Sequence, residues 1–132
     1  MTTLENAVDA LNRGARIRLE QRPVRYMFGC LNYGELPGFR NDADGDMWDV
    51  FAPGYEETLR PGYYDSTEVI GVLILANGNH KIAIRIAQPG YDERRARVEI
   101  RRYSKRYCER VRVRGKWTTK EKLLRNFNAL KK

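Results

Sequence analysis

Residues 66–86 predict a β-hairpin, and this feature constrains the fold more than any other part of the sequence. Residues 66–76 form the most apolar run in the chain, and residues 81–86 alternate between apolar and polar side chains. The segment between them contains Asn77-Gly78, a pair that favours the tight turn between two antiparallel strands. An antiparallel sheet is therefore expected at the centre of the protein.

The rest of the chain predicts further short strands with a helix at each end. Thr2 and Glu5 form a capping-box pattern before a helix over residues 3–12, and Thr118 and Glu121 form another before a helix over residues 118–130. Further strands are predicted at residues 15–20, 24–28, 48–52, 98–103 and 109–115, and a loop at residues 31–46. Six or seven strands with two helices predict an α+β fold, most simply a small closed barrel, because closure removes exposed strand edges.

Length and composition indicate one globular domain over residues 1–132. The single His80 and the absence of a CxxC pair argue against a zinc site of the Cys/His type. No segment has the length of a membrane span, and the N-terminal residues do not have the pattern of a signal peptide, so a cytoplasmic protein is expected.

Charge is distributed unevenly along the chain. Residues 1–93 contain 9 Lys and Arg against 14 Asp and Glu, whereas residues 94–132 contain 16 against 3. The basic C-terminal third should therefore attract an anion, which is nucleic acid, a small phosphate ligand or the acidic part of the same protein.

The acidic segment over residues 42–49 stands out in a chain of net charge +8. Asp44, Asp46 and Asp49 have the spacing i, i+2, i+5, which lets three carboxylates converge when a turn leads into a strand. Oxygen ligands of this kind suit Mg²⁺ or Mn²⁺. The alternative is a solvated acidic turn. An EF-hand is excluded because Met47 and Pro53 occupy the places of its invariant Gly and Glu.

The sequence around these aspartates resembles the soluble (family I) inorganic pyrophosphatases. The family signature D-x-D-x-x-D-V matches residues 44–50, and it is preceded by Met27-Phe28 and by Asn32-Tyr33-Gly34 at similar spacing. Downstream, residues 59–62 and 70–73 and Lys81 resemble the family's Pro-Gly turn, central strand and hairpin lysine. The resemblance implies an OB-like β-barrel of about five to seven strands and a homo-oligomer.

The resemblance also implies an activity, which is Mg²⁺-dependent hydrolysis of inorganic diphosphate, with Mn²⁺ as a substitute. Asp46 would accept a proton from the attacking water, and Tyr33 and Lys81 would act beside it in catalysis. The matched metal positions are Asp44, Asp49, Glu20, Asn77 and Asn79. The matched phosphate-binding positions are Arg18, Arg25, Tyr33, Lys81, Tyr103 and Lys105.

The match departs from the family at the hairpin and after Tyr103. Asn77 and Asn79 stand where the family has aspartates, which should weaken metal binding, although Asn-Gly-Asn is also simply a good tight turn. Ser104 separates Tyr103 from Lys105, which are adjacent in the family. Two alternatives stay open: a weakly active or silent relative that binds diphosphate or a nucleotide, and a basic OB-like nucleic-acid-binding protein. The second would bind single-stranded nucleic acid through the C-terminal cations, although the aspartates would repel this ligand, and through the aromatic residues Tyr63, Tyr64, Tyr91, Tyr107 and Trp117.

Overall fold

A computed structural model of the protein describes residues 2–20 and 32–130, with side chains through residue 127. It contains three helices and six strands within those residues. The helices are α1 (Thr3–Asn12), α2 (Glu93–Val111) and α3 (Lys120–Leu130). The strands are β1 (Arg16–Glu20), β2 (Tyr33–Arg40), β3 (Met47–Phe51), β4 (Gly62–Leu75), β5 (Lys81–Ile86) and β6 (Gly115–Thr119).

Five strands close into a barrel. The hydrogen-bonded order is β1-β2-β3-β5-β4, and β4 also pairs with β1, which completes the ring. The β3–β5 pair is parallel, and the other pairs of the ring are antiparallel. This is the arrangement of a five-stranded Greek-key barrel, so the predicted α+β fold with a small OB-like closed barrel is confirmed.

The 14-residue strand β4 has two roles. Its first part pairs with β1 and closes the barrel, whereas its last part pairs with β6, which lies outside the ring. Gly71 permits this outer pairing, because a Cβ atom there would lie 2.4 Å from Cζ2 of Trp117 on β6. The strand therefore joins the barrel to the C-terminal part of the protein.

Apolar side chains form two separate clusters. The first fills the barrel and includes Ile17, Trp48, Val50, Val72 and Ile82, with α1 packed against it. The second lies on the outer face of the sheet and is covered by α2. Its buried members are Tyr33, Phe51, Leu73, Leu75, Ala83, Ile100, Tyr103 and Tyr107. The side chains alternate between the two clusters along each strand, as the pleat of a sheet requires.

The prediction of strands at residues 98–103 and 109–115 is wrong, because α2 contains all of the first segment and residues 109–111 of the second, and residues 112–114 form a turn and loop. Ala96, Ile100, Tyr103 and Tyr107 are buried at helical spacing, and the cations between them lie on the exposed side. The helix ends where Arg112 adopts a left-handed conformation with φ of 58°. Only Gly115, at the end of the second predicted strand, belongs to a strand.

Two other local predictions are corrected. Residues 33–40 form β2 rather than a loop, with a register shift between Leu36 and Arg40 that accommodates Pro37 and Gly38. At the start of α3 the capping hydroxyl is that of Thr119, which accepts a hydrogen bond from the Lys122 amide, whereas the predicted cap Thr118 is buried in β6.

The α1 prediction is confirmed together with its capping box, in which Thr2 and Glu5 bond reciprocally. The β4–β5 hairpin is confirmed as well, with its strands in antiparallel register. The strand predicted at residues 24–28 lies outside the described residues. None of the helices in the described ranges has the length and apolar character needed to cross a membrane.

Candidate functional site on the outer face of the barrel

Four charged residues lie side by side across four neighbouring strands. The strand register pairs Arg18 of β1 with Glu35 of β2, Glu35 with Asp49 of β3, and Asp49 with Lys81 of β5. Paired residues in a sheet project from the same face, so these side chains form one line, which we call the charged row. It lies on the outer face of the barrel, beside the cluster that α2 covers.

A second line of paired residues runs next to the charged row. It consists of Glu20, Tyr33, Phe51 and Ala83, each two residues from a member of the charged row on the same strand. Five residues predicted from the sequence as site residues therefore lie on one face: Arg18, Glu20, Tyr33, Asp49 and Lys81. The barrel brings together residues that are up to 63 positions apart in the sequence.

Ion pairs connect the members of the charged row. Arg18 Nη2 lies 2.6 Å from Glu35 Oε1 and 3.2 Å from Glu20 Oε1. Lys81 Nζ lies 2.5 Å from Asp49 Oδ2. The row and Glu20 together contain three carboxylates and two cations, so each cation is already neutralised by an acidic neighbour.

Lys81 is the most buried cation of this face. Its side chain is 4% exposed, whereas that of Arg18 is 46% exposed. Burial by itself would lower the pKa of Lys81, but the neighbouring ionisable groups of Tyr33 and Asp49 outweigh this effect, so the pKa lies above the usual value. The ammonium is thus charged at neutral pH and is held at a fixed position.

Aromatic rings form a wall around the Lys81 ammonium. Lys81 Nζ lies 5.1 Å from the centre of the Tyr107 ring, a distance at which a cation is attracted to the ring face. Tyr103 stacks against Phe51 at 4.3 Å, Tyr107 at 5.9 Å and Tyr33 at 6.2 Å between ring centres. Because α2 contributes Tyr103 and Tyr107, the helix completes the site as well as covering the sheet.

The acidic loop between β2 and β3 has a different character. Asp44 and Asp46 are exposed, and Asp44 Oδ1 accepts a hydrogen bond of 2.9 Å from the Asp46 amide. Asn41 Oδ1 accepts an equivalent bond from the Ala43 amide. Asp44 therefore stabilises a tight turn, as the solvated-turn alternative predicts.

The Asn77-Gly78-Asn79 turn between β4 and β5 is built in the same way. Asn77 Oδ1 accepts a 3.0 Å hydrogen bond from the Asn79 amide. Asn41 Nδ2 donates to the Gly78 carbonyl at 3.0 Å, so the acidic loop and this turn are joined. The turn lies next to Lys81, at the start of β5.

The carboxylates have the chemistry that Mg²⁺ or Mn²⁺ needs, but they do not fit a metal ion as they are arranged. Asp49 is paired with Lys81, and Asp44 is bound to its own loop. In the described part of the chain, no three His, Cys, Asp or Glu side chains are close enough together to hold one metal ion. The predicted convergence of Asp44, Asp46 and Asp49 is not present in this arrangement.

The other predicted residues divide between this face and its surroundings. Tyr103 belongs to the site through its stacking on Tyr33. Lys105 lies on the exposed side of α2, because two residues of helix turn it about 200° from Tyr103. Arg25 lies outside the described residues.

Three residues of the site were not predicted as site residues. Glu35 was missed because its segment was interpreted as a loop, and Tyr107 because its segment was interpreted as strands. Phe51 was assigned only to a strand. The signal for Tyr107 was present in the helical spacing of buried residues along α2.

Comparisons with known proteins identified no relative of this chain. No protein-family model matches the chain, and neither the curated proteins nor the solved structures contain a match. The resemblance to inorganic pyrophosphatases therefore depends on the residues of this chain alone.

Proposed function

We propose that the protein hydrolyses inorganic diphosphate to two phosphates. The observation that supports this proposal is the charged row, in which Arg18, Asp49 and Lys81 come from three strands to one face. The sequence motifs indicate the same residues, together with their neighbours Glu20 and Tyr33, independently of the fold.

Lys81 is the central phosphate-binding residue in this proposal. Its ammonium has a fixed position, a raised pKa and an aromatic wall that limits its contact with water. A fixed positive charge in such surroundings binds a phosphate oxygen more strongly than a flexible surface lysine does. Arg18 is more exposed and can bind an oxygen of the second phosphate through its fork of N–H groups.

Mg²⁺ is the cofactor that the proposal implies, with Mn²⁺ as its substitute. The row and Glu20 carry more negative than positive charge, and Asp42, Asp44 and Asp46 add to this on the adjoining loop. A diphosphate anion would be repelled from such a surface unless a cation accompanied it. The metal would therefore arrive together with the diphosphate rather than at a site already formed by the carboxylates, and phosphate release should depend on its concentration.

The test is the release of phosphate from diphosphate by the full chain, with Mg²⁺ and with a chelator. Asp46→Asn should abolish the release if Asp46 accepts the proton of the attacking water. Asp42→Asn is the matched control, because it changes an exposed aspartate of the same loop that lies outside the D-x-D-x-x-D pattern. No release by the wild-type protein at any Mg²⁺ concentration would reject the enzymatic activity.

A second measurement separates the enzyme from a silent relative. Binding of diphosphate is followed by calorimetry with Mg²⁺ present, for the wild type and for Arg18→Gln. Arg16→Gln is the control, since Arg16 is exposed on the same strand and has weak contacts, 3.9 Å from Asp65 and 6.0 Å from the centre of the Tyr63 ring. Binding of diphosphate without release of phosphate would make the chain a silent relative. If neither binding nor release is observed, the charged row is not a diphosphate site.

Assembly and location are further parts of the proposal. The resemblance implies a homo-oligomer, and the sequence predicts a cytoplasmic location. Sedimentation of the purified chain measures the first, and fractionation of the source cells measures the second. A monomer across the micromolar range would reject the oligomer without affecting the proposed chemistry.

A further inference from the structure

A groove of about 660 Å³ lies between α2 and the β6–α3 segment, on the side of the protein formed by β4. We call it the α2–β6 groove. Its apolar lining includes Ile70, Ile100 and Trp117, and its cations include Arg97, Arg101 and Lys120. Glu68, Glu93 and Glu121 also line it, so the groove is mixed in charge but has aromatic, apolar and basic groups together.

Trp117 provides an aromatic surface in this groove. Its indole lies directly over Gly71, where a side chain would collide with it, so the ring rests against the backbone of β4. The residue is half-buried and still lines the groove. Tyr91 lines the same groove and carries the Arg85 guanidinium over its ring, 4.5 Å from the ring centre.

Arg97 and Arg101 form the basic wall. They are one helical turn apart on α2, are both exposed, and have no carboxylate within ion-pair distance among the described residues. Lys120 differs, because its Nζ lies 2.9 Å from Glu68 Oε2. Two guanidinium groups are therefore available to an anion beside Trp117.

Ser104 adds a polar group to the same wall. Its hydroxyl oxygen is buried and has no hydrogen-bond partner among the described residues, although the residue lines the groove. Because protein atoms cover this oxygen, the two guanidinium groups, rather than the hydroxyl, are what this wall presents to a ligand.

A second basic cluster lies outside the groove, where the pKa of Lys122 is lowered because its ammonium contacts that of Lys116, with Arg125 nearby. Lys116 projects from the face of β6 opposite Trp117, because side chains alternate along a strand. None of these three residues lines the groove, so they attract an anion at long range rather than contact it there.

We propose that the α2–β6 groove binds single-stranded nucleic acid, with a base stacked on Trp117 and backbone phosphates at Arg97 and Arg101. Stacking on an aromatic ring combined with a basic track is the general mode of sequence-tolerant single-strand binding. The proposal is independent of diphosphate hydrolysis, because the two sites share no residue.

The position of this surface differs from the usual ligand surface of an OB barrel. That surface is the face of the second and third strands. Here β2 and β3 carry Glu35 and Asp49, and the loop between them carries three exposed aspartates. These carboxylates would repel a phosphate backbone, which leaves the opposite flank of α2 as the complementary surface.

Fluorescence anisotropy with labelled oligo-dT and oligo-U of about 12 nucleotides tests the proposal. Affinity should fall as salt rises, because phosphate contacts release counterions. Trp117→Ala should weaken binding at least about fivefold, and Trp117→Phe should restore most of it. Arg97→Gln/Arg101→Gln should flatten the dependence of log affinity on log salt by about 1.4, which corresponds to two lost contacts on a single strand.

Arg102→Gln/Arg106→Gln is the matched control. It removes the same charge at the same spacing, but helical geometry places these residues on the other flank of α2. If the two double variants lose the same affinity for the oligonucleotide, the groove is not the binding site, and net charge alone attracts the nucleic acid. Circular dichroism and thermal unfolding of each variant show whether a loss of binding reflects loss of folding.

Two further outcomes decide the class of partner. Comparable binding of both oligonucleotides supports the proposal as stated, and a preference for oligo-U or oligo-dT assigns it to RNA or DNA. No salt-sensitive binding of either one would overturn it. Tighter binding to vesicles of phosphatidylserine than to both oligonucleotides, lost in the Arg97→Gln/Arg101→Gln variant, would also overturn it and assign the groove to anionic lipid.

Discussion

Asp49 and Lys81 are register partners across the parallel β3–β5 pair, with Oδ2 and Nζ 2.5 Å apart. The pair is enclosed on the Lys81 side, where 4% of the side chain is exposed, and more open on the Asp49 side, where 21% is exposed. An ion pair in such a place affects stability mainly when one partner is removed and the other is left uncompensated.

We therefore expect Lys81→Met to reduce the free energy of unfolding by about 2–4 kcal/mol, somewhat less than for a fully buried pair. Asp49→Asn on the Lys81→Met background should recover part of this loss, since the unpaired carboxylate is then gone. Urea unfolding of the four proteins of this cycle measures the coupling. Lys120→Met is the control, because its pair with Glu68 is exposed and should be worth less than about 1 kcal/mol.

The raised pKa of Lys81 makes a prediction about alkaline pH. A lysine whose pKa is higher in the folded state than the ordinary lysine pKa of 10.5 stabilises the fold below that pH, and the contribution is lost as the pH rises through the folded pKa. The difference in stability between wild type and Lys81→Met should therefore be constant at neutral pH and shrink above the ordinary lysine pKa. Urea titrations across this range measure it, and a difference that grows with pH would contradict the assignment.

Substitution of Gly71 tests the contact that places Trp117. A Cβ atom would lie 2.4 Å from the indole and 2.6 Å from the Thr118 carbonyl oxygen, so β6 must shift in Gly71→Ala. We expect a loss of about 1–3 kcal/mol and a change in tryptophan emission. Thr67→Ser, an exposed change on the same strand, should stay within about 0.5 kcal/mol.

The start of α2 depends on the side chain of Asp92. Its Oδ1 accepts a 2.9 Å hydrogen bond from the Arg95 amide, which satisfies one of the free N–H groups of the first turn. Asp92→Ala should therefore cost about 1 kcal/mol in thermal unfolding, whereas Asp92→Asn, which keeps the acceptor, should cost much less. An equally large loss for Asn would show that charge rather than capping is responsible.

Local signals predicted much of the barrel. The Asn77-Gly78 turn, the alternation along β1 and the capping box of α1 all depend on contacts within a few residues, and the structure confirms each. β2 was missed because Pro37 and Gly38 usually mark turns, whereas here a bulge absorbs them within a strand.

The α2 segment illustrates the opposite problem. Its alternation of Val and Arg near residue 111 matches a strand, but the burial of Tyr103 and Tyr107 against the sheet decides for a helix. The local sequence preference was too weak to decide between the period of a strand and the period of a helix. The contacts that decide are with residues far away in the sequence.

The sequence predicted which residues belong to the site better than it predicted how those residues are arranged. Motif spacing identified Asp49 as a metal ligand and Lys81 as a phosphate-binding residue, but it could not show that the two side chains bind one another. That contact depends on the parallel pairing of β3 with β5, which no local pattern specifies.

The parallel β3–β5 pair also determines when the charged row can form. β4 lies between these strands in the sequence, so β5 can form a local hairpin with β4 long before it meets β3. Contacts between distant segments form slowly because the intervening chain must first lose its freedom. A newly synthesised chain consequently has no Asp49–Lys81 contact until β3 and β5 meet, so the charged row forms later than the hairpin that carries Lys81.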